Sequence, residues 1–161
     1  MSLAVRAMSA ADWPAVSDIY REGIESGTAT FETAVPTWEV WDGGHFPAPR
    51  LVAADREDLL GWAALSPVSK RAAYAGVAEV SIYVAARARR RGIGLLLLGS
   101  LVDSSEERGF WTVQANIMAA NEASIALHER CGFRIVGTRE RLSSVRGVWR
   151  DVVLMERRRR R

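Results

Sequence analysis

Cysteine is nearly absent from this 161-residue chain: Cys131 stands alone, so no internal disulfide can form and a secreted disulfide framework is excluded. Histidine is almost as scarce. His45 and His128 lie far apart, which leaves no zinc-ligand spacing and the expectation of no bound metal. Long apolar runs are missing as well: nothing approaches the ~18 consecutive apolar residues of a membrane span. The N-terminal MSLAVRAMSAADW has no basic region leading into an apolar stretch, as a signal peptide would. We therefore expect a cytoplasmic protein without membrane association. What is present is a 48% hydrophobic composition, ordinary for one packed core. Charge is unevenly spread, with 6 basic and 11 acidic side chains in residues 1–84 against 16 and 8 in residues 85–161. Such a basic half suits nucleic acid, an anionic surface or a phosphorylated small molecule. Five of its charges form the run Arg157 to Arg161, which reads as a solvated tail (157–161) after a single domain (1–156). No aromatic residue interleaves with that run, and nucleic acid is not expected as a partner.

Hydropathy periodicity predicts a strand over Leu3 to Met8, then a helix started by Ser9 and Asp12 with Val16, Ile19, Tyr20 and Ile24 on one face, ending near Gly27. Thr28 to Pro49 reads as a loop-rich lid with a short helix around Trp38 to Asp42, broken by Gly43, Gly44, Pro47 and Pro49. A hairpin follows, from Arg50 to Ala54 and from Leu59 to Leu65, then a loop over Ser66 to Gly76. Val77 to Val84 alternates, with Glu79, Ser81 and Tyr83 on one face and Val80, Ile82 and Val84 on the other. A helix is expected over Leu95 to Arg108, packed through Leu95, Leu98, Leu101 and Val102 and stopped by Gly109. The remaining elements are a strand over Trp111 to Ile117, a helix over Asn121 to Arg130 closed by Gly132, and strands over Phe133 to Arg139 and Val148 to Met155. This order predicts an α+β fold with a mixed sheet.

The strongest local signal is Arg89-Arg90-Arg91-Gly92-Ile93-Gly94, between a strand and a helix. Glycines let a ligand approach the backbone, and the first amides of the following helix are unpaired at the positive end of its dipole. A pyrophosphate over Gly92 to Leu96 fits that arrangement. A dinucleotide fingerprint would need a third glycine where Leu97 stands, and a Walker loop would need Gly-Lys-Ser/Thr, which is missing.

These residues resemble the GNAT superfamily pattern, Arg/Gln-x-x-Gly-x-Gly/Ala, through Arg89, Gly92 and Gly94. A second block, NEASIALHERCGF from Asn121 to Phe133, resembles the family's Asn and short helix ending in Gly-Phe. The likeness is closest to phosphinothricin and methionine sulfone or sulfoximine acetyltransferases, through TATFET (28–33), KRAAY (70–74), EVSIYV (79–84) and RGVWRD (146–151). It implies a mostly antiparallel central sheet flanked by helices, acetyl-CoA as co-substrate, acetyl transfer to a small amino acid or analogue by direct attack in a ternary complex, and a homodimer. It extends the acetyl-CoA contacts to Val84, Ala85, Ala86, Arg89, Arg90, Arg91, Gly92, Ile93, Gly94, Leu95, Leu96, Asn121 and Ser124, with the Val84 amide facing the acetyl carbonyl.

An amine is protonated at neutral pH, so attack on a thioester needs a base, an oxyanion donor and help for the departing thiolate. Glu79 is the carboxylate on the polar strand face and the expected base. Many GNAT sequences carry Tyr where His128 stands, as the acid for the thiolate; His128 reads either in that role or as a structural histidine. Asn121 and His128 are seven apart, on one helical face. Cys131 reads as a small buried hydrophobe. For the acceptor, Arg71 offers a fork to a carboxylate, with Tyr74 and Phe31 as walls. The resemblance adds Ala72, Ala73, Ser81, Ile82 and Tyr83. It leaves Trp149 and Asp151 as structural or dimer-forming. Two other readings stand beside the leading one: a protein or peptide acetyltransferase, and a noncatalytic CoA-binding protein.

Overall fold

The computed structural model describes residues 2–160; Met1 and Arg161 lie outside the described residues. Strand β1 (Leu3–Ala7) leads into a short 3₁₀ turn in which Ser9 and Asp12 form the reciprocal capping box expected from the sequence. Arg6 grips both Asp12 oxygens at 2.8 Å and holds that carboxyl well below the usual range, at about 2. Pro14 opens helix α1 (Trp13–Ser26), where its missing N–H costs nothing, and Gly27 closes it at φ 75°. Val16, Ile19 and Ile24 are buried on its inner face.

Helix α2 (Trp38–Gly44) begins at Thr37, whose hydroxyl accepts from the Val40 amide. It extends through both glycines taken as breakers. The expected lid is fastened at this point. Trp41 is buried against Trp13, Trp38 and Trp62. The Arg50 guanidinium meets Asp42 at 2.5 Å, its Nε donates to the Phe46 carbonyl, and the Phe46 amide donates to Leu65 O. The stretch before Thr37 and residues 45–49 remain irregular.

Strands β2 (Arg50–Asp55), β3 (Asp58–Pro67), β4 (Val77–Val84), β5 (Thr112–Met118), β6 (Arg134–Val145) and β7 (Val148–Arg158) complete one seven-stranded sheet in the order β1-β2-β3-β4-β5-β7-β6. Every neighbouring pair is antiparallel except β4–β5. That parallel pair needs a crossover, which helix α3 (Ile93–Glu107) supplies. Leu97, Leu98 and Leu101 of α3 are fully buried, each contributing about 1.5–3 kcal/mol. Ile93, Leu97 and Leu101 recur every four residues on the buried face, so Leu97 takes the core place expected of Leu95, which is only partly buried, and the helix starts two residues earlier than predicted. Gly61 of β3 lies under α3, and a Cβ there would sit 2.9 Å from both Leu97 Cδ1 and the Tyr83 carbonyl. Helix α4 (Glu122–Arg130) connects β5 to β6.

The basic run is not wholly a tail. Strand β7 continues through Arg158, in register with β5 from Met118↔Val152 to Thr112↔Arg158. The Arg157 guanidinium is paired with Glu106, and the Arg159 amide donates to Trp111 O. Backbone ladder and carboxylate partners take up charges that sequence reading assigned to solvent. Strand β6 likewise runs six residues beyond its expected end, through Val145. No described helix is long and apolar enough to cross a membrane.

Candidate active site

Strands β4 and β5 are in register only over Val77–Glu79 and Thr112–Gln114, after which they part. Two adjoining cavities occupy the resulting gap, and Ala29, Ile82, Tyr83, Asn121 and Ser124 line both. The strand register decides which backbone groups face it. Ala85 donates to Leu60 O, so Ala85/Leu60 is a hydrogen-bonded pair of the β3–β4 ladder and the next pair, Val84/Gly61, is not. The N–H groups of Val84 and Ile82 therefore point away from β3, toward the gap that β5 has left.

The smaller cavity, about 500 Å³, lies at the glycine turn and is lined by Val84, Arg89, Arg90, Gly92, Ile93 and Gly94, with further residues from α1 and α4. Arg90 and Gly92 adopt φ of 63° and 79°, which bends the chain back before α3 begins. The first helical hydrogen bond is Leu96 N to Gly92 O, so the amides of Ile93, Gly94 and Leu95 precede it and stand ready for an anion. A Cβ on Gly94 would lie 3.1 Å from Leu127 Cδ2, which shows how near α4 comes to the turn. A diphosphate fits this cradle. Of the residues expected here, Ala85 is buried, the Ala86 amide donates to Glu22, and Arg91, Leu95 and Leu96 do not line the cavity.

The larger cavity, about 560 Å³, holds Glu79 and His128. Gln114 Nε2 and Asn116 Nδ2 donate to Glu79 Oε1 at 3.1 and 2.6 Å. Both fall on one oxygen, leaving Oε2 without a hydrogen-bond partner among the described residues. Sequence reasoning missed these two amides; their signal was polar alternation on an otherwise apolar β5. Tyr83 stacks on Tyr20 and Trp62 with ring centroids 5.0 Å apart in each pair. Burial pushes the phenols of Tyr20 and Tyr83 up, so both stay neutral walls. Phe31, Ser81 and Ile82 line this cavity as expected, whereas Arg71, Ala72, Ala73 and Tyr74 do not. Those four sit on an exposed turn beyond the Pro67↔Ala78 end of the β3–β4 ladder, with the Arg71 guanidinium 5.6 Å over the Tyr74 ring.

His128 is 2% exposed and stands edge-on to Phe133. Its Nδ1 lies 2.7 Å from Ser124 O, and a carbonyl only accepts, so Nδ1 carries the proton. Nε2 is buried without a partner among the described residues. Burial lowers the ring's pKa, so the resting imidazole is neutral with a bare Nε2. Burial also pushes the Cys131 thiol up, against a nucleophilic role. No group of three or more His, Cys, Asp or Glu among the described residues is placed to hold a metal ion.

Residues 13–133 match the model of the acetyltransferase (GNAT) family. The chain is 36% identical over 154 residues to a phosphinothricin N-acetyltransferase of Streptomyces coelicolor, covering 91% of this chain and 90% of that protein. It is 32% identical over 162 residues to an L-methionine sulfoximine/L-methionine sulfone acetyltransferase of Pseudomonas paraeruginosa, covering 97% and 94%. The crystal structure of a GNAT superfamily phosphinothricin acetyltransferase from Sinorhizobium meliloti in complex with AcCoA superposes with a TM-score of 0.87 at 34% identity, covering 98% of this chain and 89% of that one. A divided sheet, a glycine turn at a helix start and this extent of likeness lead to one conclusion: the chain belongs to the GNAT acetyltransferase family and is an acetyl-CoA-dependent N-acetyltransferase.

Proposed function

We propose that the acceptor is the primary amine of a small amino acid or analogue of the phosphinothricin or methionine sulfone type, acetylated by direct attack in a ternary complex. The observation that carries this reading is Glu79, pinned through Oε1 and open at Oε2, in a cavity continuous with the cleft at the glycine turn. Glu79 Oε2 takes a proton from the ammonium, directly or through water, and the freed nitrogen attacks the thioester carbonyl. The outward Val84 amide meets the oxygen as it gains charge. His128 begins without a proton on Nε2, so its part is to receive the surplus proton of the attacking nitrogen and pass it to the departing sulfur. Asn121 and Ser124, on the wall common to both cavities, border the path between the two substrates. For the α-carboxylate we assign Arg71, which requires the turn carrying it to move toward the cavity. The relatives named for such substrates support the acceptor class.

The test is thiol release from acetyl-CoA across a panel of free amino acids, their decarboxylated counterparts and a peptide with a free N-terminus. Preference for free amino acids supports the reading; preference for the peptide, which a protein acetyltransferase would show, or for the decarboxylated amines, refutes it.

A further inference from the structure

The larger cavity is electrically polar. Glu32 and Glu79 line it, and Glu32 is near enough to Tyr20 and Tyr83 for its charge to help raise both phenols. Arg139 is the one Lys or Arg among its lining residues. Three other arginines of β6 and β7 are ion-paired: Arg134 with Glu156, Arg157 with Glu106, Arg158 with Glu156. Arg139 has no such carboxylate among the described residues, and nearby Asp151 accepts from the Arg141 amide through Oδ1.

The sheet register locates Arg139 relative to the base. Arg139 is paired with Val152, and Val152 with Met118, so the three share a row and a face. Gln114, Asn116 and Met118 alternate onto that same face, and Glu79 is in register with Gln114. From Glu79 to Arg139 is three strand-to-strand steps of about 4.8 Å and four residues of about 3.3 Å along the strands, placing the Cα atoms on the order of 19 Å apart. Side chains stand roughly perpendicular to the sheet, so the two groups stay at opposite ends of the cavity, farther apart than an amine and a carboxylate on one carbon can bridge. Beyond Asn116 the floor toward Arg139 is apolar, since Met118 and Val152 are buried and Leu142 joins the wall.

We infer that Arg139 is a specificity-determining residue that binds a negatively charged oxyanion at the far end of the acceptor, with the acceptor's methylenes lying over Met118 and Val152. The inference rests on the amino-acid acceptor proposed above and deepens it. An amine at Glu79 keeps its α-carboxylate too near the base to reach Arg139, so the charge read there belongs to the acceptor's tail. A distal phosphinate or carboxylate supplies such a charge; a sulfone supplies neutral oxygens.

The experiment compares kcat/KM for phosphinothricin and for L-methionine sulfone in wild type, Arg139→Met and Arg139→Lys at saturating acetyl-CoA. Arg139 is exposed, so Met should leave the fold intact, and matched thermal melting checks this. In Arg139→Met the ratio of the two kcat/KM values should move against phosphinothricin on the order of tenfold or more, through KM, with Lys restoring part of it. Equal losses on both compounds, or no loss, would overturn the assignment while leaving the acceptor class standing. Acetylation of neither compound by wild type would overturn both.

Discussion

His128 ties chemistry to stability through one hydrogen bond. With Nδ1–H committed to Ser124 O, the ring can act at sulfur only by first gaining a proton on Nε2, so His128→Phe should lower kcat by about tenfold or more. Acetyl-CoA affinity, measured by calorimetry, should change little. Its pKa is lowered by burial, and that of His45 is lowered mainly by burial too. The unfolded chain therefore binds more protons than the folded one once pH drops below the ordinary value of about 6.5. The stability these rings preserve is present above that value and is lost as pH falls through the window beneath it. Urea unfolding at pH 7.5 and 5.5 should show wild type losing stability on acidification and His128→Gln losing less. An equal loss in both proteins would contradict the neutral ring. His45, whose ring is stacked on Trp41 at 4.1 Å, keeps its contribution in that variant, so part of the loss must persist.

Elements whose signals are local were legible in the chain itself. Ser9, Asp12 and Gly27 set the bounds of α1 because caps act within a few residues, and Glu79 was found because alternation assigns strand faces. The parting of β4 from β5 was not legible, since no local residue states that a strand will lack a partner. With it went the amides of Gln114 and Asn116 on Glu79, while the Val84 amide was expected through the family resemblance and not from the strand pattern. The last strand was cut short because consecutive arginines read as solvated, although β5 supplied a ladder and Glu106 a counter-charge. Two glycines test how these elements meet. Gly61→Ala forces a methyl against the Tyr83 carbonyl as well as Leu97, and overpacking of this kind costs about 1–3 kcal/mol by denaturant unfolding. Gly94→Ala presses only on the end of the flexible Leu127 side chain and should fold normally. Gly94→Glu adds a negative charge beside the amides of the α3 start, so acetyl-CoA affinity should fall on the order of tenfold or more, and less at high salt. Unchanged affinity by calorimetry would remove the diphosphate from that turn.

Across the whole molecule the charge asymmetry acquires a location. The basic C-terminal half contributes Arg89 and Arg90 to the cavity at the glycine turn and Arg139 to the acceptor cavity, while the acidic half contributes Glu32 and Glu79. Anionic acetyl-CoA and a charged amine are thus met by opposite ends of one continuous gap. The β6–β7 ribbon at the sheet's edge carries exposed Ile135, Val136, Val148 and Trp149, and we propose that a second copy of the chain covers it. Sedimentation should then show a dimer at micromolar concentration that Trp149→Glu weakens; a fully active monomer would refute it. The central claim, that Glu79 is the base for an amino-acid acceptor, is tested most directly by the pH profile of kcat/KM for phosphinothricin in wild type and Glu79→Gln. At pH 7 the variant should be lower by about 10²-fold, with the gap narrowing at high pH where the amine is already free. A variant as active as wild type at pH 7 would contradict it.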